Sequence, residues 1–222
     1  KKAILIIVLI PIVFIVVLAV NYFIFFHFGS QITQGEPISQ FDTLKQAILV
    51  IDVQEGTTGA SYMEEYYMKE SEKLIMNINQ LTDSSSQYQV PVIYIKNEIT
   101  NFLINILNDT YSPDHPGSKL DERLHIASDF ILNKDKSDSF TNPKLDSILI
   151  QHKISKLIFT GLDLGHCVNS TILAAENRKY EICIISDAVL AKSDSLKTLQ
   201  LNELKLKGHQ VINSSEYIAN LK

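Results

Sequence analysis

KLIFTGLDLGHCVNSTILAA, residues 156–175, is the stretch that decides the fold. Its first six residues are a short β-rich run ending in glycine. Beyond that glycine, Val168, Thr171, Ile172 and Ala175 recur at helical spacing, so a helix is expected to begin near Cys167. A cysteine at that point sits among unpaired backbone N–H groups, at the positive end of the helix dipole. Both favour the thiolate, the form that attacks carbonyl carbon. The same N–H groups can hold the oxyanion that such an attack creates. The plainer alternative is a small buried cysteine filling a gap.

Outward from this stretch, short apolar runs alternate with helical ones. QAILVIDVQ (46–54) reads as a buried strand, and a helix is expected from Ser61 towards Leu81, closed by a polar SSSQ turn (84–87). The strand VPVIYIK (90–96) precedes a long irregular segment, 97–128, which contains SPDHPG. DFILNK (129–134) is the next strand, followed by a helix from Pro143 to about His152. After the quoted stretch come the strand YEICIISDA (180–188), a helix across Asp194–Lys207 and a short strand, HQVI (209–212). Strands that alternate with helices and are apolar almost throughout imply a parallel sheet covered on both faces. The expected fold is a three-layer α/β/α domain with about six strands, occupying residues 45–222. In such sheets ligands bind beyond the carboxyl ends of the strands. The polar residues at those ends are Asp52, Lys96, Asn97, Lys134, Cys167 and Asp187.

The N-terminal part is of another kind. Lys1 and Lys2 precede an uncharged apolar run of about 26 residues ending near Phe28, where about 20 suffice to cross a bilayer. A cleaved signal peptide would have a shorter apolar region and a small-residue cleavage site, which FHFGSQ does not offer. The expectation is therefore a single-pass transmembrane anchor over residues 1–28 and a polar linker over 29–44. The two lysines put the N-terminus in the cytoplasm and the domain outside it. Cys167 and Cys183 are the only cysteines, and both are expected to be free thiols. A net charge of −5 with no basic cluster argues against nucleic acid as a partner.

A thiol, a carboxylate and an ammonium on one rim suit nucleophilic acyl transfer. Asp52 would take the thiol proton and return it to a leaving amine, while Lys134 would stabilise the anionic groups. Three segments, in order, resemble the isochorismatase-like cysteine hydrolases, a family that includes nicotinamidases and N-carbamoylsarcosine amidases. AILVIDVQ resembles the first strand with its catalytic aspartate, which makes that residue Asp52. KDKSDSF resembles the lysine segment, implying a catalytic Lys134 and a substrate-pocket Phe140. GLDLGHCVNSTILAA resembles the nucleophile motif, with Cys167 as nucleophile.

The resemblance further implies strand order 3-2-1-4-5-6. It also implies a non-proline cis peptide between Leu162 and Asp163, aiming the N–H groups of Asp163 and Cys167 at an oxyanion. In that order Lys134 lies two strands from Asp52, about 10 Å away at ~4.8 Å per strand, so its side chain must lean inward. The chain departs from nicotinamidases in lacking a D-x-H motif after the second strand. Asp114, His115 and His125 show no regular ligand spacing, so neither metal nor cofactor is expected. Glu55 stands where many relatives carry Asn or Asp, and Asp163 and His166 make the nucleophile loop unusually polar. His166 reads as a loop residue rather than a second base.

The function implied is cleavage of a small-molecule amide-type C–N bond through a thioester, at a membrane. A non-catalytic scaffold domain and isochorismate-type ether hydrolysis are the alternatives. Tyr62, Tyr66 and Tyr67 would line either a pocket or a homo-oligomer face.

Overall fold

In the computed structural model, residues 2–39, 45–59 and 65–221 are described. Six strands form one parallel sheet: β1 (Lys45–Ile51), β2 (Val92–Asn97), β3 (Ile131–Lys134), β4 (Ile154–Gly161), β5 (Glu181–Val189) and β6 (Gln210–Ile212). Their order is β3-β2-β1-β4-β5-β6, as expected. The central strand β1 has no exposed surface from Ala47 to Ile51. Its pleat sends Ala47, Leu49 and Ile51 into one core and Ile48 and Val50 into the other.

Helices α4 (Pro143–Gln151) and α5 (Cys167–Asn177) cover the first face, with Leu145, Leu149, Val168 and Ile172 turned inward. Helix α2 (Glu65–Ser86) covers the second with Leu74, Ile78 and Leu81. Helix α6 (Asp194–Leu206) connects β5 to β6. A last helix, α7 (Ser214–Ala219), was not anticipated; Asn213 caps it by accepting from Glu216 N.

The expected SSSQ turn does not exist as such, because α2 continues through all three serines to Ser86. Ser85 is buried, and the Ser86 hydroxyl donates to Thr82 O, so the last of these serines returns its polar atom to the helix instead of ending it. Within the irregular segment, Phe102–Asn105 form a short helix, α3, capped by Asn101.

Helix α1 (Lys2–Gly29) is exposed along nearly all its described length, and from Leu9 to Gly29 it is long and apolar enough to cross a membrane. Its only covered positions among those described, Leu18, Asn21, Phe25 and Gly29, recur at helical spacing on one face, and the helix packs against α3.

The segment after α1 lies along the domain as a strap. Thr33 donates from N and Oγ1 to Asp138 Oδ2 (2.9 and 2.6 Å), and Ile38 N donates to Arg178 O. Ile32 and Ile38 pack on the core. Arg178, at the C-terminus of α5, is almost completely buried. Its guanidinium bonds Asp146 (2.8 and 3.0 Å) and Thr33 Oγ1 (3.1 Å) and lies 4.2 Å over the Phe140 ring.

Where β4 ends beside β1, Gly161 adopts φ +103°, and an added Cβ would stand 2.0 Å from Ile51 O. Backbone cannot yield there as a side chain can. Gly161→Ala is expected to destabilise the domain by about 3 kcal/mol or more, read as a lowered urea midpoint.

Candidate active site

β1, β3 and β4 deliver their last residues to one rim. Asp52 follows β1 at φ +53°, in the left-handed region, held by its N–H on Ile95 O (2.8 Å) and by the Thr57 hydroxyl on its carbonyl. Gln54 locks the turn beyond it. Its amide donates to Asn97 O and Ser118 O (both 2.9 Å) and accepts from Asn97 N (2.6 Å), joining the ends of β1 and β2 to the distal loop.

Lys134, the last residue of β3, has a fully buried side chain that crosses the end of β2. Its Nζ lies 2.8 Å from Asp52 Oδ2, 3.4 Å from Cys167 Sγ and 3.1 Å from Lys136 O. The inward lean that the strand order demands is thus made. Cys167 is the first residue of α5. One turn on, the Thr171 hydroxyl donates to Cys167 O (2.8 Å) and meets Ser139 N and Oγ (3.1 and 2.9 Å), fastening the lysine segment to this helix.

The Leu162–Asp163 peptide is cis, as expected. Leu162 is buried and donates to Ile51 O, while the Asp163 carbonyl accepts from His166 N and Val168 N. The Asp163 carboxylate accepts from the Tyr67 hydroxyl and from Gly165 N. Among the described residues, the N–H groups of Asp163 and Cys167 have no acceptor. His166 is exposed and caps nothing with its side chain, in keeping with a loop role.

The surroundings of the sulfur work against the thiolate that a helix terminus favours. Burial, followed by the neighbouring Asp52 charge, pushes the Cys167 thiol up to about 12, and Lys134 offsets only part of this. The helix terminus works against these two influences, which favour the protonated thiol. Burial also works to lower the Lys134 ammonium, but Asp52 and Cys167 overcome it and raise the group. Asp52 acts on the thiol through its charge and a side-chain hydrogen bond, and its Oδ1 is buried without another partner among the described residues. A carboxylate acceptor therefore stands ready beside the sulfur.

Phe140, expected on a pocket wall, is instead buried in the core between Arg178 and Tyr180. Its motif position puts it behind the lysine segment rather than on the open rim. Tyr62 lies outside the described residues, and Tyr67 orients Asp163. Tyr111 escaped the sequence reading because it sits in a segment without periodicity. Its hydroxyl bonds Gly56 O (3.0 Å), and burial, then the charges of Asp52 and Cys167, raise its phenol. Among the described residues no group of His, Cys, Asp or Glu forms a metal cage. Asp114 is exposed, His115 accepts from Gly117 N, and His125 pairs with Asp83.

A parallel α/β sheet thus carries a thiol, a carboxylate and an ammonium at its switch point. Residues 46–216 match the isochorismatase domain, and the chain belongs to the isochorismatase family of hydrolases. It is 28% identical over 134 residues to the isochorismatase family protein YaaI of Bacillus subtilis, spanning 60% of this chain and 74% of that one. A shorter match, 35% over 69 residues, covers 31% of this chain and 28% of the ureidoacrylate amidohydrolase RutB of Serratia proteamaculans. Among solved structures, an isochorismatase-like hydrolase from Alkaliphilus metalliredigens aligns with a TM-score of 0.70 at 22% identity, covering 80% of this chain and 99% of that one. The N-carbamoylsarcosine amidase of Thermoplasma acidophilum aligns at 0.64 and 24%, covering 77% and 97%.

The raised thiols have a consequence for stability. Cys167 and Cys183 carry folded values of about 12 and about 11, against an ordinary 9.0. Below the ordinary value both folded and unfolded chains hold these protons; above it the unfolded chain loses them first. Stability is therefore complete below that pH and declines as pH rises through the folded values. The urea midpoint is expected to be lower at about pH 10.5 than at about pH 8, with a smaller difference in Cys183→Ala. A flat profile would contradict the assigned directions.

Proposed function

We propose that this chain is a membrane-anchored cysteine hydrolase that cleaves a small-molecule amide-type C–N bond through a thioester. The observation that carries the proposal is the position of Lys134 Nζ, buried between the Asp52 carboxylate at 2.8 Å and the Cys167 sulfur at 3.4 Å. A purely scaffolding domain has no use for a buried ion pair beside a thiol.

In this reading Asp52 takes the thiol proton as Sγ attacks the substrate carbonyl carbon. The carbonyl π electrons move to oxygen, where the N–H groups of Asp163 and Cys167 receive the oxyanion. The intermediate collapses, the C–N bond breaks, and Asp52 passes its proton to the departing nitrogen. Asp52 then takes a proton from water, which attacks the thioester. The acid leaves and the thiolate recovers its proton. Lys134 remains charged throughout and lowers the cost of each anion formed beside it. A thiol kept protonated until substrate arrives resists adventitious oxidation, because the thiolate is the reactive form. Helix α1 spans the bilayer in this proposal, with the domain outside the cytoplasm.

Ammonia release from a panel of small amides tests the chemistry. Cys167→Ala is expected to abolish turnover while preserving the urea midpoint. Asp52→Asn is expected to reduce kcat by about 10²- to 10⁴-fold. The same substitution removes a charge that holds the thiol up, so iodoacetamide should alkylate Cys167 faster than in the parent near neutral pH. Unchanged turnover in both variants would refute the mechanism.

A further inference from the structure

The loop between β2 and β3 carries a surface that the proposed chemistry does not use. From Ile99 to Asn108 it has no charged residue. Phe102, Ile106 and Leu107 are 73%, 47% and 54% exposed, whereas Ile104 anchors the turn inward. An apolar tip of this kind is out of place in water.

Its polar atoms are largely satisfied from within. Asn101 Oδ1 accepts from Leu103 N and Ile104 N, and Asn105 Nδ2 donates to Ile99 O. The N–H groups of Ile106, Leu107 and Asn108 find carbonyls of the same turn. A tip folded in this way can leave water without stranding most of its backbone.

The occupant is indicated by the neighbour. α3 packs against α1, and the covered face of α1 runs from Leu18 to Gly29, about 16 Å at 1.5 Å per residue. The apolar run of α1 exceeds the roughly 20 residues that a bilayer core requires. Whichever 20 are placed in hydrocarbon, Leu18 and Asn21 lie among them. Protein therefore covers α1 within the hydrocarbon-bound stretch, and α3 is a helix that packs on α1. Asn21, the one amide within the run, also lies on the covered face, with its Oδ1 buried.

We infer that the α3 tip, with Phe102, Ile106 and Leu107 leading, inserts into the bilayer beside α1 as a second membrane contact of this chain. The inference rests on the reading of α1 as a membrane span and is independent of the chemistry proposed for Cys167. The same loop closes through Ile99 N on Tyr111 O (2.7 Å), and Tyr111 feels the charges of Asp52 and Cys167. Insertion therefore brings the candidate active-site rim to the lipid surface.

The chain contains no tryptophan, so one introduced residue reports alone. The full chain is reconstituted into vesicles of phosphatidylcholine and phosphatidylglycerol, with or without bromine on the acyl chains. Phe102→Trp is expected to emit at shorter wavelength than free tryptophan and to lose more than half its intensity to brominated lipid. Phe23→Trp, on the exposed face of α1, serves as the span reference. Tyr88→Trp, at the far end of the sheet, should emit as in water and remain unquenched. If Phe102→Trp is unquenched while Phe23→Trp is quenched, the inference is overturned and the span survives. Blue-shifted emission from Phe102→Trp that brominated lipid leaves unchanged would mean that protein covers the tip, and overturns it too. If neither variant is quenched, the inference falls together with the span. Adding Cys167→Ala should alter none of these readings, which separates them from the fate of the proposed hydrolysis.

Discussion

The Lys134 ammonium ties together polar side chains that the parallel sheet delivers to one rim. It lies between a carboxylate from the end of β1 and a sulfur from the start of α5, and its own strand is two positions away. A buried ion pair is a weak source of stability, since desolvation consumes much of the attraction. Losing one partner is another matter, typically costing about 3–5 kcal/mol because a bare charge remains. The surrounding devices make sense as supports for this pair: the Gln54 clamp across β1 and β2, the Thr171–Ser139 fastening and the left-handed turn at Asp52. Each fixes a chain end whose drift would separate the charges.

Sequence patterns reached the sheet because the apolar runs were short, buried on both faces and interrupted by helical periodicity. They reached Asp52, Lys134 and Cys167 because strand ends are where an α/β sheet exposes polar groups. Patterns failed where the deciding partner is distant. The serines at 84–86 resemble a turn until the Ser86 hydrogen bond back to Thr82 O is seen. Phe140 looks available until Arg178, far along the chain, is found lying over it. A helix terminus beside the thiol is visible in sequence, whereas its burial beside Asp52 is not. Tyr111 carried no signal at all in an aperiodic segment.

Two regions that composition set apart are physically continuous with the domain. Gly29, the last residue of α1, accepts from Ser137 N, and Thr33 bonds Asp138. Both acceptor and donor sites lie a few residues beyond Lys134. The apolar helix is thus wired to the segment that carries the ammonium rather than tethered at a distance from it.

This wiring sets rules for any shedding of the domain by proteolysis. A cleavage between Gly29 and Thr33 would release a fragment that still carries the strap, with Asp138 and Arg178 capped. A cleavage just past Ser39 would leave the strap behind on α1, uncovering Asp138 and the Arg178 carbonyl together with the apolar surface under Ile32 and Ile38. Two forms of the domain that differ only by this short strap would then differ in how firmly the lysine segment is held.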